Sequence, residues 1–314
     1  MNVVGLSLKR MSEGVLPPGR ALDLQGRGTG YVYAAPAPPG APTLVLVHGL
    51  WATGSLNWFP AFEALSSRFG VVATDLRGHG RGIPVSGHFR VADCADDIAA
   101  LVDELGTGPV ILVGYSLGGV VAQMAWRRHP RCVAGLVLCA TSRNFGGSRP
   151  ERIFYRSLSG ALFGASMLQR ARQRGVALPP AVEAAAVAAV DEVATVAAEV
   201  GAVGATGRRM PAWAWDEMKR TDVLASLGAV AAIGRFSSRE WVHEIDVPTA
   251  VVVTARDHFI SPVRQRKLAA AIPGATVYEV PSDHAACVLG AEHFVPALVD
   301  ACTSVATRVA ARAA

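Results

Sequence analysis

A chain of 314 residues in which 51 % are hydrophobic and 18 % charged has enough apolar surface for a large core, which excludes a disordered polymer or a coiled coil. Its net charge of +5 is scattered, with no dense basic run, so nothing resembles a nucleic-acid-binding arm. The only lysines are Lys9, Lys219 and Lys267, and with the alanine excess the arginine usage reads as codon bias rather than a binding signature.

The N-terminus, MNVVGLSLKRMSEG, lacks a charged segment followed by an apolar one, so no secretory signal is expected. Short apolar runs then begin. Segments 30–35, 43–49, 71–78, 109–116, 133–140, 249–257 and 275–281 are predicted strands, and the later ones are apolar throughout, as in parallel strands covered on both faces. Helix-length segments at 60–69, 92–105, 117–129 and 262–271 lie between them, and this alternation predicts crossover units. The rhythm stops after residue 144. An alanine-rich, arginine-sprinkled stretch follows to about 244, predicting a helical cap over 145–244 inserted into a core of 1–144 and 245–314. The most apolar part of the insertion, 181–205, carries Glu183, Asp191, Glu192 and Glu199, which argues against a bilayer span. It remains a place for peripheral membrane contact or self-association, and no feature of the sequence fixes an oligomeric state. The five cysteines, Cys94, Cys132, Cys139, Cys287 and Cys302, form no C-x-x-C pair, and free thiols in a reducing, cytoplasmic setting are expected.

One stretch carries chemistry. VILVGYSLGG (110–119) drives an apolar strand into a turn with Ser116 at its tip and a helix behind it. Gly114 and Gly118 complete G-x-S-x-G, the spacing of a nucleophile elbow, in which small residues let strand and helix approach while the serine is held in a strained conformation. A neutral serine needs a base. Of the eight histidines, His48 and His79 sit in strand-end turns, His129 closes a helix, and His88 and His243 lack context. His284 follows the last strand in a short loop, ahead of His293 inside the next helix, and is the predicted base. Asp257 ends the preceding strand and is the predicted partner acid; its rival Asp283 is adjacent to His284, and neighbouring side chains rarely face each other.

With these residues the chain resembles the α/β-hydrolase superfamily, in its capped esterase, lipase and perhydrolase-like branch. Four motifs carry the resemblance in order: VHGLWATGSLNW (47–58), DLRGHG (75–80), GYSLGG (114–119) and the pairs Arg256-Asp257 and Asp283-His284. It implies an α/β-hydrolase fold: a mostly parallel sheet, helices on both faces and a helical cap. It further implies a Ser116–His284–Asp257 triad with the backbone N–H groups of Leu50 and Leu117 as an oxyanion hole. Trp51, next to Leu50, is an expected substrate contact, and Asp75 and Arg77 are expected to organise a loop.

The expected reaction is hydrolysis of a carboxylic ester through an acyl-enzyme. The same triad serves acyltransferases, thioesterases, carbon–carbon bond hydrolases and perhydrolases, and a ligand receptor on this scaffold is the non-enzymatic alternative. The expected partner is a small ester or acyl substrate. No cofactor or metal is expected, since no H-E-x-x-H, phosphate loop or dinucleotide fingerprint occurs. Trp58 and the cap aromatics Phe154, Tyr155, Phe163, Trp213 and Trp215, with Met210, divide between cap core and an apolar pocket. Arg149, Arg152 and Arg156 read as a solvated face.

Overall fold

Among the described residues eight strands form one sheet in the order β1-β2-β4-β3-β5-β6-β7-β8. In this computed structural model residues 16–147, 149, 151–160 and 212–313 are described. The strands are β1 (Arg20–Leu24), β2 (Gly28–Ala35), β3 (Thr43–Val47), β4 (Gly70–Thr74), β5 (Val110–Tyr115), β6 (Val133–Cys139), β7 (Thr249–Thr254) and β8 (Thr276–Val280). The first two pairings are antiparallel and the rest parallel. β4 through β7 are buried at nearly every position, because helices cover both faces and leave no polar side of the sheet to pattern the sequence.

The seven predicted strands all form. β1, unpredicted, is an edge strand that buries only Leu24, so its sequence, RALDL, carries no apolar alternation. The helices are α1 (Gly54–Ser66), α2 (Val91–Leu105), α3 (Leu117–Arg128), α4 (Ala212–Lys219), α5 (Val223–Arg235), α6 (Pro262–Ala269) and α7 (Ala291–Ala313). α1 begins six residues before the expected 60–69. Thr53 caps it, accepting from the Leu56 N–H, and Pro60 sits within it.

Two apolar clusters form on opposite faces of the sheet. One joins α2 and α3 to β3 and β5 through Val45, Ile98, Leu101, Leu112 and Val121. The other joins α1 and α7 through Trp58, Phe62, Leu65, Phe294 and Leu298. α7 is long and apolar enough to cross a membrane by length and composition, and its inward face packs on the sheet. In the stretch expected as a cap, residues 151–160, α4 and α5 are helical. The last part joins the core itself: Ala229, Ile233 and Phe236 share a cluster with Val91 and Ile98. Phe163, Met210, the Trp215 side chain and residues 181–205 lie outside the described residues.

Candidate active site

β3 and β5 are neighbours in register, Val47 beside Gly114, so the loops leaving their carboxyl ends emerge side by side. The glycines follow from that closeness. A Cβ on Gly118 would stand 2.0 Å from the Val47 carbonyl oxygen, and one on Gly114 would stand 2.3 Å from the Gly118 oxygen. Any larger residue would force strand and helix apart. Between them Ser116 adopts φ 52°, ψ −112°, a left-handed conformation that costs about 1–3 kcal/mol in a non-glycine residue. The turn is pinned from β6: the Ser116 N–H donates to Cys139 O (2.9 Å), and the Thr141 hydroxyl donates to Ser116 O (2.9 Å). The serine hydroxyl makes no capping bond to its own helix, which leaves it for another partner.

That partner is His284. Its Nε2 lies 3.0 Å from Ser116 Oγ, and its Nδ1 lies 2.7 Å from Asp257 Oδ2. An ionised carboxylate only accepts, so Nδ1 carries a proton, which leaves Nε2 of the neutral form of the ring to accept from the hydroxyl. The acid is fully buried, whereas 22 % of the His284 side chain is exposed. Asp283 lies apart from the hydroxyl: its carboxylate accepts the Ala285 N–H and shapes the turn.

Asp257 is held by more than the histidine. Oδ1 accepts the N–H groups of Phe259 and Ile260, both at 2.8 Å. Oδ2 also accepts from the Thr254 hydroxyl (2.8 Å) and Gln265 Nε2 (3.1 Å). Burial pushes the carboxyl up, but His284 and then the Ile260 and Thr254 donors outweigh it and hold Asp257 below the usual carboxylate range. Gln265 is itself fully buried and accepts the Thr254 N–H. Tyr115, immediately before the serine, donates its hydroxyl to the His284 carbonyl (2.8 Å) and so fixes the histidine loop. Sequence reasoning missed Thr254, Gln265 and Tyr115. Only "apolar strand, then Asp" was visible for the first two, since their bonds form after the loop folds back.

The loop bearing Leu50 and Trp51 lies against the serine: a Cβ on Gly49 would meet Ser116 Cβ at 3.4 Å. Among the described residues neither the Leu50 nor the Leu117 N–H has a backbone partner in a turn, loop or cap. Trp51 is half-buried at φ 56°. Beneath the loop, His48 Nε2 accepts the Leu76 N–H (2.9 Å) and Nδ1 donates to Gly49 O (2.7 Å). Burial first, then His79, pushes the His48 pKa down to about 3, so this ring is neutral and structural. His79 makes a tilted ring contact with it, and burial pushes its pKa down to about 4.

Asp75 accepts the Gly54 and Arg81 N–H groups, and Arg77 forms a salt bridge with Asp97, so DLRGHG organises the strand-end loop. Trp58 is core, its ring edge-on to Tyr115. Phe259 is different: its ring lies 5.5 Å from His284 and is 44 % exposed. Arg152 donates to Gly147 O, and Arg149 and Arg156 are exposed. Among the described residues no group of three or more His, Cys, Asp or Glu gathers to hold a metal ion.

The sequence pattern of the "alpha/beta hydrolase fold" family matches residues 42–291, most of the chain and all of this site. The chain belongs to the α/β hydrolase fold family. Among curated relatives it is 36 % identical over 96 residues to 2-(acetamidomethylene)succinate hydrolase of Mesorhizobium japonicum, covering 31 % of this chain and 34 % of that one. To lipase LipV of Mycobacterium tuberculosis it is 34 % identical over 116 residues, 37 % of this chain and 43 % of that one. The chain thus spans less than half the length of the curated relatives it matches. The enol-lactonase from Burkholderia xenovorans LB400 superposes with a TM-score of 0.64 at 22 % identity, over 90 % of this chain and 100 % of that one, a likeness of fold.

Proposed function

We infer that this α/β hydrolase is a serine hydrolase that cleaves carboxylic esters with an apolar acyl or aromatic part. The observation that carries this reading is the continuous line from Ser116 Oγ through His284 to Asp257, at 3.0 and 2.7 Å. Ser116 Oγ attacks the ester carbonyl while its proton passes to His284 Nε2, and Asp257 stabilises the imidazolium that forms. The Leu50 and Leu117 N–H groups receive the oxyanion; one such donor is worth about 10²–10³ in rate. Nε2 then returns the proton to the departing alcohol. Water, deprotonated by the same nitrogen, releases the acid and restores the serine.

The exposed Phe259 ring beside His284 supports an apolar substrate, because it offers hydrophobic surface at the open side of the base. Turnover of a p-nitrophenyl ester series by the wild type and Ser116→Ala tests the reading. Loss of about 10⁴-fold or more in kcat is expected, and equal turnover by the two proteins would remove the serine from the chemistry.

A further inference from the structure

Trp213 and Glu217 are four residues apart on α4 and therefore share a face. Both reach α1, the helix that follows the Leu50 loop. The Trp213 ring packs edge-on against Phe59, centroids 5.2 Å apart. Glu217 Oε2 accepts from the Thr53 hydroxyl (3.1 Å) and the Ser55 hydroxyl (3.0 Å), and its two oxygens take a forked pair from Arg81 at 2.9 and 3.2 Å. Arg220 Nε, from the turn just past α4, stands 3.3 Å from Oε1.

These contacts bear on the loop. Residues 48–53 connect β3 to α1 and contain Leu50. From the core side the loop is tied by Gly49 N–H to Asn57 Oδ1 (3.0 Å) and by Gly54 N–H to Asp75 Oδ1 (2.7 Å). From the opposite side its tie is Glu217, which sets the direction of the Thr53 hydroxyl while that oxygen caps α1. Thr53 is fully buried and Ser55 nearly so, and besides the carboxylate their oxygens have each other at 2.9 Å, so losing Glu217 turns the Thr53 hydroxyl toward Ser55. Arg81 has other anchors, the Tyr33 hydroxyl at 3.0 Å and the Tyr31 ring, and so stays in place to hold Glu217. Burial pushes the Glu217 carboxyl up, but Arg81 and then the two hydroxyls hold it below the usual range, so it is ionised near neutral pH.

We propose that Glu217 is a positioning residue which clasps α4 onto the 48–53 loop and the first turn of α1 and thereby fixes the Leu50 N–H as an oxyanion donor. The proposal rests on the reading of that N–H given above. An oxyanion donor acts in the transition state, so a misplaced one lowers kcat and leaves KM nearly unchanged. A merely structural carboxylate would instead lower the fraction of folded enzyme.

The test uses the full chain with Glu217→Ala, Glu217→Gln, Ser55→Ala and the Glu217→Ala/Ser55→Ala double variant. Sites are counted by fluorophosphonate titration, kcat and KM for p-nitrophenyl butyrate are taken per titrated site, and amide hydrogen exchange is followed in peptides covering 48–57. The expected result for Glu217→Ala is a loss of about 10–100-fold in kcat per site, KM within about 3-fold, and faster exchange in 48–57. Glu217→Gln, which keeps an acceptor for the two hydroxyls, recovers part of both. Ser55→Ala costs kcat alone but adds nothing in the Glu217→Ala background. Unchanged kcat per site and unchanged exchange in Glu217→Ala would overturn the clasp. Should Glu217→Ala not fold, a Ser55→Ala protein with wild-type kcat per site and exchange would overturn it as well, because that variant removes one of the two hydroxyls the carboxylate holds. A wild type that neither titrates nor turns over would instead sink the ester-hydrolase reading, and the exchange comparison would still judge the clasp.

Discussion

His284 and Asp257, from the loops after β8 and β7, meet at 2.7 Å with the acid fully enclosed and the ring partly open. That asymmetry suits a base: the carboxylate is shielded from water and locked by five donors, while the imidazole keeps one edge toward Ser116 and solvent. It follows that the charge of Asp257, rather than its shape alone, matters. Asp257→Asn is expected to lower kcat for p-nitrophenyl esters by about 10⁴-fold with a far smaller change in KM. A loss under tenfold would show that the ring needs no counter-charge.

Gln265 is fully buried and bonds Thr254 Oγ1, Asp257 Oδ2 and Ile260 O through one nitrogen while its oxygen accepts the Thr254 N–H. Gln265→Leu strands several of these groups, each costing about 1–3 kcal/mol when left unpaired. The urea midpoint should drop clearly, and kcat should fall more than in a surface control of matched stability. Wild-type stability would mean that the loop re-forms its bonds without the amide.

Phe259 supplies exposed aromatic surface beside His284. Phe259→Ala is expected to raise KM for hexanoate or benzoate esters about 10-fold or more, from the lost apolar burial, while acetate changes little. Equal effects across the series would place the acyl group elsewhere.

The buried neutral histidines set the acid side of stability. His48 has an ordinary value of 6.5 unfolded and about 3 folded, so between those values the unfolded chain binds a proton that the folded one does not. Stability is therefore retained above pH 6.5 and falls as the pH drops toward 3, by up to about 1.4 kcal/mol per pH unit for this group. His48→Gln keeps a donor and an acceptor but cannot titrate. Urea unfolding between pH 7 and pH 5 should show a shallower slope in the variant, and parallel slopes would contradict the assignment.

Much of the candidate site is legible in the sequence. The apolar run into Gly114 and the positions of Asp257 and His284 after strands all follow from local pattern, because each lies where a parallel strand must end. What escaped was long-range and polar. β1 buries a single leucine, so it leaves no apolar signature. Gln265 sits eight residues past its carboxylate with no recurring spacing, and Glu217 meets Thr53 across 164 residues. In the sequence Glu217 looks like any acid on a charged helix; only the packing of Trp213 on Phe59 turns that face inward.

The central claim is that Ser116 is a nucleophile made reactive by His284. Treating the protein with a fluorophosphonate and mapping the adduct by peptide mass spectrometry tests it most directly. The account predicts a stoichiometric adduct on Ser116 that forms at least about 10²-fold more slowly in His284→Ala. No adduct on Ser116, or one formed at the same rate without the imidazole, would contradict it.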